Sequence, residues 1–217
     1  MAVPPTSREK LLDVAESLFA RRGYTGVGMR EVAESAGLGK SSLFHHFKGK
    51  ATLYCEVVAR ILGRIRERLD PILASPGAPM ETLERLVGAL VDVLAEHPNT
   101  SRILLRSLFE EEEFVTRPPA ELAEVDAQLD ALLGDIHRLL EAGVAAGALR
   151  RVSVPDLMQT LIGATVYHFA SADIGERVLG ASLFSAEAVA RRKREIIDLL
   201  RAGILPPDAL LNQEIRT

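Results

Sequence analysis

Two runs of helical periodicity meet at a glycine within Arg30–Lys50, REVAESAGLGKSSLFHHFKGK, and no other stretch constrains the fold as tightly. Val32, Ala33 and Ala36 recur at the spacings that gather side chains on one helix face, and Leu43 and Phe47 do so four apart. Gly37 lies between the runs. A glycine there can take the positive φ of a residue that follows a helix, after which Leu38 packs inward. The spacing predicts helices over 29–36 and 40–46, the second presenting Lys40, Ser41, Ser42 and His45 outward. A cation, two hydroxyls and an imidazole suit phosphates and base edges, on an element that fits a major groove. A glycine-turned helix pair also occurs in bundles that never touch DNA, so the pattern alone leaves both readings open.

Charge is distributed unevenly around this stretch. Residues 1–50 hold eight Lys or Arg against five Asp or Glu, with His45 and His46 besides, while the other 167 hold 18 against 25. The net charge of -4 therefore conceals a basic N-terminal module on an acidic body.

Thr6-Ser7-Arg8-Glu9 has the form of a capping box and starts a predicted helix over 7–22, with Leu11, Leu12, Ala15, Leu18 and Phe19 on one stripe. Leu18, Phe19, Val32, Leu38, Leu43 and Phe47 make the expected small core of a three-helix module. A long helix then opens at Gly49-Lys50 and is expected to end at Pro71, with Arg60, Arg64, Arg66 and Arg68 on a mostly solvated face. Ser75-Pro-Gly-Ala-Pro79 breaks the chain, and helical periods follow at about 80–96, 100–113, 120–146, 154–172 and 185–202. No β alternation is long enough to assign. The expected fold is all-α, with about nine helices: a helix-turn-helix domain over 1–50 and a helical bundle over 51–217.

The segment 154–172 is apolar almost all round, which predicts burial on more than one side, one facing the protomer's own core and the other an identical partner. Leu161, Ile162, Thr165 and Phe169, with Val189, Ile196 and Leu200 from the last helix, are the expected two-fold interface. Tyr167 and His168, beside Phe169, put polar tips on this apolar helix that either satisfy neighbours or line a cavity. Arg102, Leu105, Phe109, His137, Met158, Gln159, Tyr167 and His168 are the expected lining of a pocket for a hydrophobic or amphipathic small molecule.

No GxSxG elbow, HExxH helix or CxxC pair is present, and Gly39-Lys40-Ser41 cannot close a P-loop because Glu34 occupies the required glycine position. The expectation is no catalytic site, no metal and no cofactor. His137 and Glu141, four apart, read as a polar pair. Glu110–Glu113 reads as a solvated helix end, and Arg191–Arg194 as a surface run. Cys55 is the only cysteine, the start MAVPPTSREK lacks the apolar core of a secretory leader, and the apolar stretch 157–172 falls short of a bilayer span. Together these point to the cytoplasm.

The pattern Ala15-x-x-Leu18-Phe19, Gly23-Tyr24, Val32-Ala33-x-x-Ala36-Gly37-Leu38, Leu43-Phe44-His45-His46-Phe47, Lys50 and Leu53 resembles the TetR family of bacterial transcriptional repressors. The resemblance implies an all-α homodimer that sets its N-terminal domains in successive major grooves of a palindromic operator, and a helical body that binds a small-molecule effector. It implies DNA contacts from Arg30, Lys40, Ser41, Ser42, Phe44, His45, His46 and Lys50, with Lys50 on a phosphate. The chain departs from the family in carrying Phe44 where tyrosine is usual, and Gly28 and Gly39 where Ser or Thr commonly caps a helix. A rival reading is a small-molecule-binding helical protein or enzyme that retains the module as a relic.

Overall fold

Thr6 starts the first helix as its residues require: its hydroxyl accepts from the Glu9 amide at 3.3 Å, and the Glu9 carboxylate accepts from the Thr6 amide at 2.6 Å. The computed structural model describes residues 6–107 and 120–206, and every regular element among them is helical. In chain order these are α1 (Ser7–Arg22), α2 (Met29–Ser35), α3 (Lys40–His46), α4 (Lys50–Leu73), α5 (Pro79–Glu96), α6 (Pro98–Ser107) and α7 (Ala120–Ala145). There follow α8 (Val154–Ile162), a π-turn (Gly163–Tyr167), α9 (His168–Ala170), α10 (Ala172–Leu179) and α11 (Ala186–Ile204). No described helix is long and apolar enough to cross a membrane.

The helices pack as two units. One comprises residues 1–63 and 99–129, the other 64–98 and 130–217. In the first, Leu11, Ala15, Phe19, Val32, Leu43, Phe47, Leu53, Val57 and Ile61 are at most 1% exposed, and each large member contributes about 1.5–3 kcal/mol by leaving water. Leu38 stays half-exposed instead of joining them. Gly37 takes φ +68°, the Leu38 amide donates to the Ala33 carbonyl at 2.9 Å and the Gly37 amide to Glu34 at 3.0 Å. This paired closure satisfies the last carbonyls of α2 and fixes the angle at which α3 departs. At Gly26 the chain crosses so close to α1 that an added Cβ would lie 2.5 Å from the Arg22 carbonyl oxygen.

Four expectations fail here for identifiable reasons. Pro71 does not end α4, which continues to Leu73: the proline falls in the last turn, and the Ala74 amide still reaches Asp70 at 2.9 Å. The arginine face of α4 is not mostly solvated. Arg60 donates to Asp13 at 2.7 Å and to the buried Glu16 at 2.5 Å, and Arg66 donates to Asp70 and Asp135, each at 3.2 Å. The segment 154–172 is not one uniform helix, since the π-turn interrupts it and Ser171 breaks it. The glycine-containing stretch 173–184, which lies between two helical periods and whose Gly175 and Gly180 resemble breakers, is expected to be a connector but holds most of α10. In fact Gly175 leaves room for Leu183, whose Cδ1 would lie 2.7 Å from an added Cβ, and Gly180 closes α10 at φ +67°. The helix expected over 100–113 is seen as α6, and Glu110–Glu113 lie outside the described residues.

The second unit is tied by ion pairs across its helices. Arg201 grips Glu84 with two donors at 2.6 and 2.7 Å, and Lys193 pairs with Asp92. The run Arg191–Arg194 is thus a surface only in part, for the Arg192 guanidinium is half-buried and donates to the Ala164 carbonyl inside the π-turn.

Gly37→Ala should lower stability by about 1–2 kcal/mol, the cost of a left-handed conformation in a residue with a Cβ. Urea denaturation followed by circular dichroism reads this directly, and an unchanged midpoint would contradict the assigned turn.

Candidate functional site

The N-terminal unit builds its outward face from α3. With Leu43 and Phe47 fully buried, Lys40, Ser41, Phe44 and His45 are exposed and Ser42 and His46 are half-buried beside them. The Lys40 ammonium stands 5.6 Å from the Phe44 ring centroid, and the His45 and His46 rings meet edge to face at 5.2 Å. Neither α2 nor α3 receives a side-chain cap from Gly28 or Gly39, so their first-turn amides carry no intramolecular side-chain acceptor at the cap.

Lys50 is held before any ligand arrives. Its ammonium donates to the Thr25 carbonyl at 3.3 Å and lies 4.3 Å from the Tyr24 ring centroid. Tyr24 and Tyr54 pack edge to face at 5.3 Å, and Phe19 meets Tyr54 at 5.1 Å. This aromatic cluster fixes the loop 24–28 against the start of α4. Sequence reasoning singled out Lys50 but missed Tyr24 and Thr25 as its holders, because their contact spans 25 residues of chain. Arg30 is largely in water and ion-paired with Glu34 at 2.7 Å, so a phosphate would have to displace a carboxylate there.

A concave region in the other unit lies among α4, α5, α7, α8 and the π-turn. An inner cavity of about 60 Å³ is walled by Leu69, Leu83, Leu86, Val87, Leu90, Leu133, Ile136, Met158, Leu161, Ile162 and Thr165. The sole hydroxyl there, on Thr165, already donates to the Leu161 carbonyl at 2.8 Å. An open groove of about 440 Å³ shares Leu133, Met158 and Ile162 with it and adds Gly134, His137, Pro155 and Gln159. The combination suits a molecule with an apolar body and a polar end.

Of the residues expected around an effector, the structure brings together His137, Met158 and Gln159. Arg102 and Leu105 belong to the other unit, Phe109 lies outside the described residues, Tyr167 is 58% exposed, and His168 packs on Phe169 away from both concavities. Leu161, Ile162 and Thr165, expected between protomers, wall the inner cavity. Thr165, Phe169, Ile196 and Leu200 are buried within the protomer, and Leu161 and Val189 are half-buried. A helix that is apolar all round shows that two faces are covered, not which partner covers each. His137 and Glu141 sit 3.8 Å apart, and among the described residues no three His, Cys, Asp or Glu side chains are grouped to hold a metal. Cys55 is buried, and burial, followed by Glu121 and Asp126, pushes its thiol up to about 11.

Comparison with known proteins agrees with this geometry. Residues 11–57 match the family described as "Bacterial regulatory proteins, tetR family", and residues 79–200 match "Tetracyclin repressor-like, C-terminal domain". The HTH-type transcriptional repressor KstR2 of Mycolicibacterium smegmatis is 31% identical over 160 residues, which cover 73% of this chain and 73% of that protein. The fold is shared with the ketosteroid transcriptional regulator KstR2 of Mycobacterium tuberculosis at a TM-score of 0.74 and 20% identity, over 94% of this chain and 97% of that one. It is shared also with AibR, solved with isovaleryl coenzyme A and operator DNA, at a TM-score of 0.71 and 15% identity, over 89% and 97%.

Lys50→Ala should weaken binding to all DNA sequences alike and reduce the slope of log affinity against log salt by about 1, whereas Lys40→Ala should alter preference among sequences. Fluorescence anisotropy on a panel of duplexes separates the two, and identical uniform losses would refute the assignment. Burial first, and the Arg192 and Arg191 guanidiniums after it, hold the His168 imidazole down at about 4 against its ordinary 6.5. The unfolded chain therefore binds a proton that the folded chain refuses between these values. Stability contributed by neutral His168 is complete above 6.5 and is lost as pH falls towards 4. Thermal melts across that range should show a shallower decline for His168→Gln than for the wild type, and parallel declines would contradict the burial.

Proposed function

The chain belongs to the tetR family of bacterial regulatory proteins, ligand-responsive DNA-binding regulators, and we propose that it is a cytoplasmic homodimeric repressor released from a palindromic operator by an amphipathic acyl or polycyclic effector. It acts by binding and not by catalysis. The observation that carries the reading is the outward strip of α3, with Lys40, Ser41, Phe44 and His45 exposed beside a pre-positioned Lys50. Residues 1–50 are assigned to the operator and 51–217 to effector and partner. Arg30 and Lys50 serve phosphates, Ser42 and His46 the edges of the contact, and Lys40, Ser41 and His45 the bases.

The effector's apolar portion enters the cavity lined by Leu83, Met158 and Leu161, and its polar end lies along His137 and Gln159. The apolar walls support this, as does a structural neighbour that holds an acyl thioester. Release requires that the effector favour a dimer whose two α3 helices no longer match grooves one turn, roughly 34 Å, apart. A molecule that bound both arrangements equally would release nothing. The partner contact is assigned to the α10 and α11 region, though on faces other than the apolar stripe suggests: Ile174, Val178, Leu179 and Leu199 are all more than half exposed, Val178 at 78%.

Anisotropy with the chain's own upstream DNA at several salt concentrations, followed by titration with isovaleryl coenzyme A, tests the proposal. Sequence-selective, salt-dependent binding that the thioester reverses is expected. Val178→Asp should scatter light as a monomer and lose the operator. Binding without salt dependence or sequence preference would overturn the repressor reading.

A further inference from the structure

Burial fixes which way α3 faces. The exposed residues Lys40, Ser41, Phe44 and His45 recur at i, i+1, i+4 and i+5, which makes one face two residues wide. Three of the four carry polar atoms. Phe44 does not, yet 44% of it is exposed at the centre of that face.

A phenyl ring has nothing to offer a phosphate, so whatever Phe44 meets on DNA is apolar. On the floor of a major groove the apolar group is the C5-methyl of thymine. The Lys40 ammonium, 5.6 Å from the ring centroid, limits where the ring can turn and places a donor one helical turn away on the same strip. Tyrosine at this position would carry a hydroxyl able to reach backbone oxygens, and its replacement by phenylalanine removes that use while keeping the ring. Resting on the assignment of α3 as the DNA-contacting helix, we propose that Phe44 reads a thymine methyl in each half of the operator. The residue is then a determinant of sequence and not a backbone anchor.

The test uses the full-length chain and duplexes selected by it from a randomised pool. In the selected duplex each thymine is replaced in turn by deoxyuridine, which removes the methyl and retains the O4 acceptor. One thymine per half-site should lose about fourfold in affinity on replacement, the worth of one buried methyl. The loss should persist in Phe44→Tyr, which keeps the ring, and vanish in Phe44→Ala. The wild-type profile is read without any variant, so the proposal is decided even where Phe44→Ala binds weakly. A flat wild-type profile, selected half-sites without thymine, or an undiminished methyl effect in Phe44→Ala would each overturn it. A flat profile on duplexes that still bind with steep salt dependence would leave the regulator reading intact, whereas failure to select any duplex would remove both.

Discussion

The continuity of α4 is the constraint on which the rest depends. Twenty-four residues of unbroken helix, about 36 Å long, begin at Lys50 and run past Leu69, which walls the apolar cavity. Its first half is buried against the N-terminal core through Leu53, Val57 and Ile61, and Arg60 clamps it to α1 through Asp13 and Glu16. Removing Arg60 would leave Glu16 buried and without this cation, which is costly for a carboxylate. An α-helix resists bending far more than a loop does.

Within that head, two local devices set the geometry and a third sets the electrostatics. The left-handed Gly37 fixes the departure of α3, and the Phe19, Tyr24 and Tyr54 rings fix the start of α4. Lys50 is already placed over Tyr24, so in the proposed role part of the entropy of contacting a phosphate would be lost during folding and not during binding. Arg30 is the opposite case. Its guanidinium is committed to Glu34, so in the proposed role a phosphate would have to displace a nearby carboxylate.

What the sequence made legible was local. The Thr6 capping box and the Gly37 turn each depend on residues within five positions, and their chemistry is visible in a one-dimensional string. The outward residues of α3 were legible for the same reason, since their face is set by Leu43 and Phe47 alone. What was not legible depends on partners far along the chain. Arg60 and Arg66 looked solvated because Asp13 and Asp135 lie 47 and 69 residues away. Leu161 and Thr165 looked like interface because apolarity does not distinguish a cavity wall from a partner. Gly175 looked like a break because the Leu183 side chain that needs its missing Cβ cannot be inferred from spacing.

The π-turn at Gly163–Tyr167 has a consequence for how this helix is compared with others. A π-turn is equivalent to one residue inserted into an α-helix, and it advances every following side chain by about 100° around the axis. Leu161, Ile162 and Thr165 line the cavity in one register, while Phe169 is fully buried elsewhere in the second. Arg192 helps hold the join by donating to the Ala164 carbonyl. The segment thus carries two phases of one helix in sequence. An ungapped alignment with a relative that is α-helical throughout assigns His168–Ala170 to the wrong face.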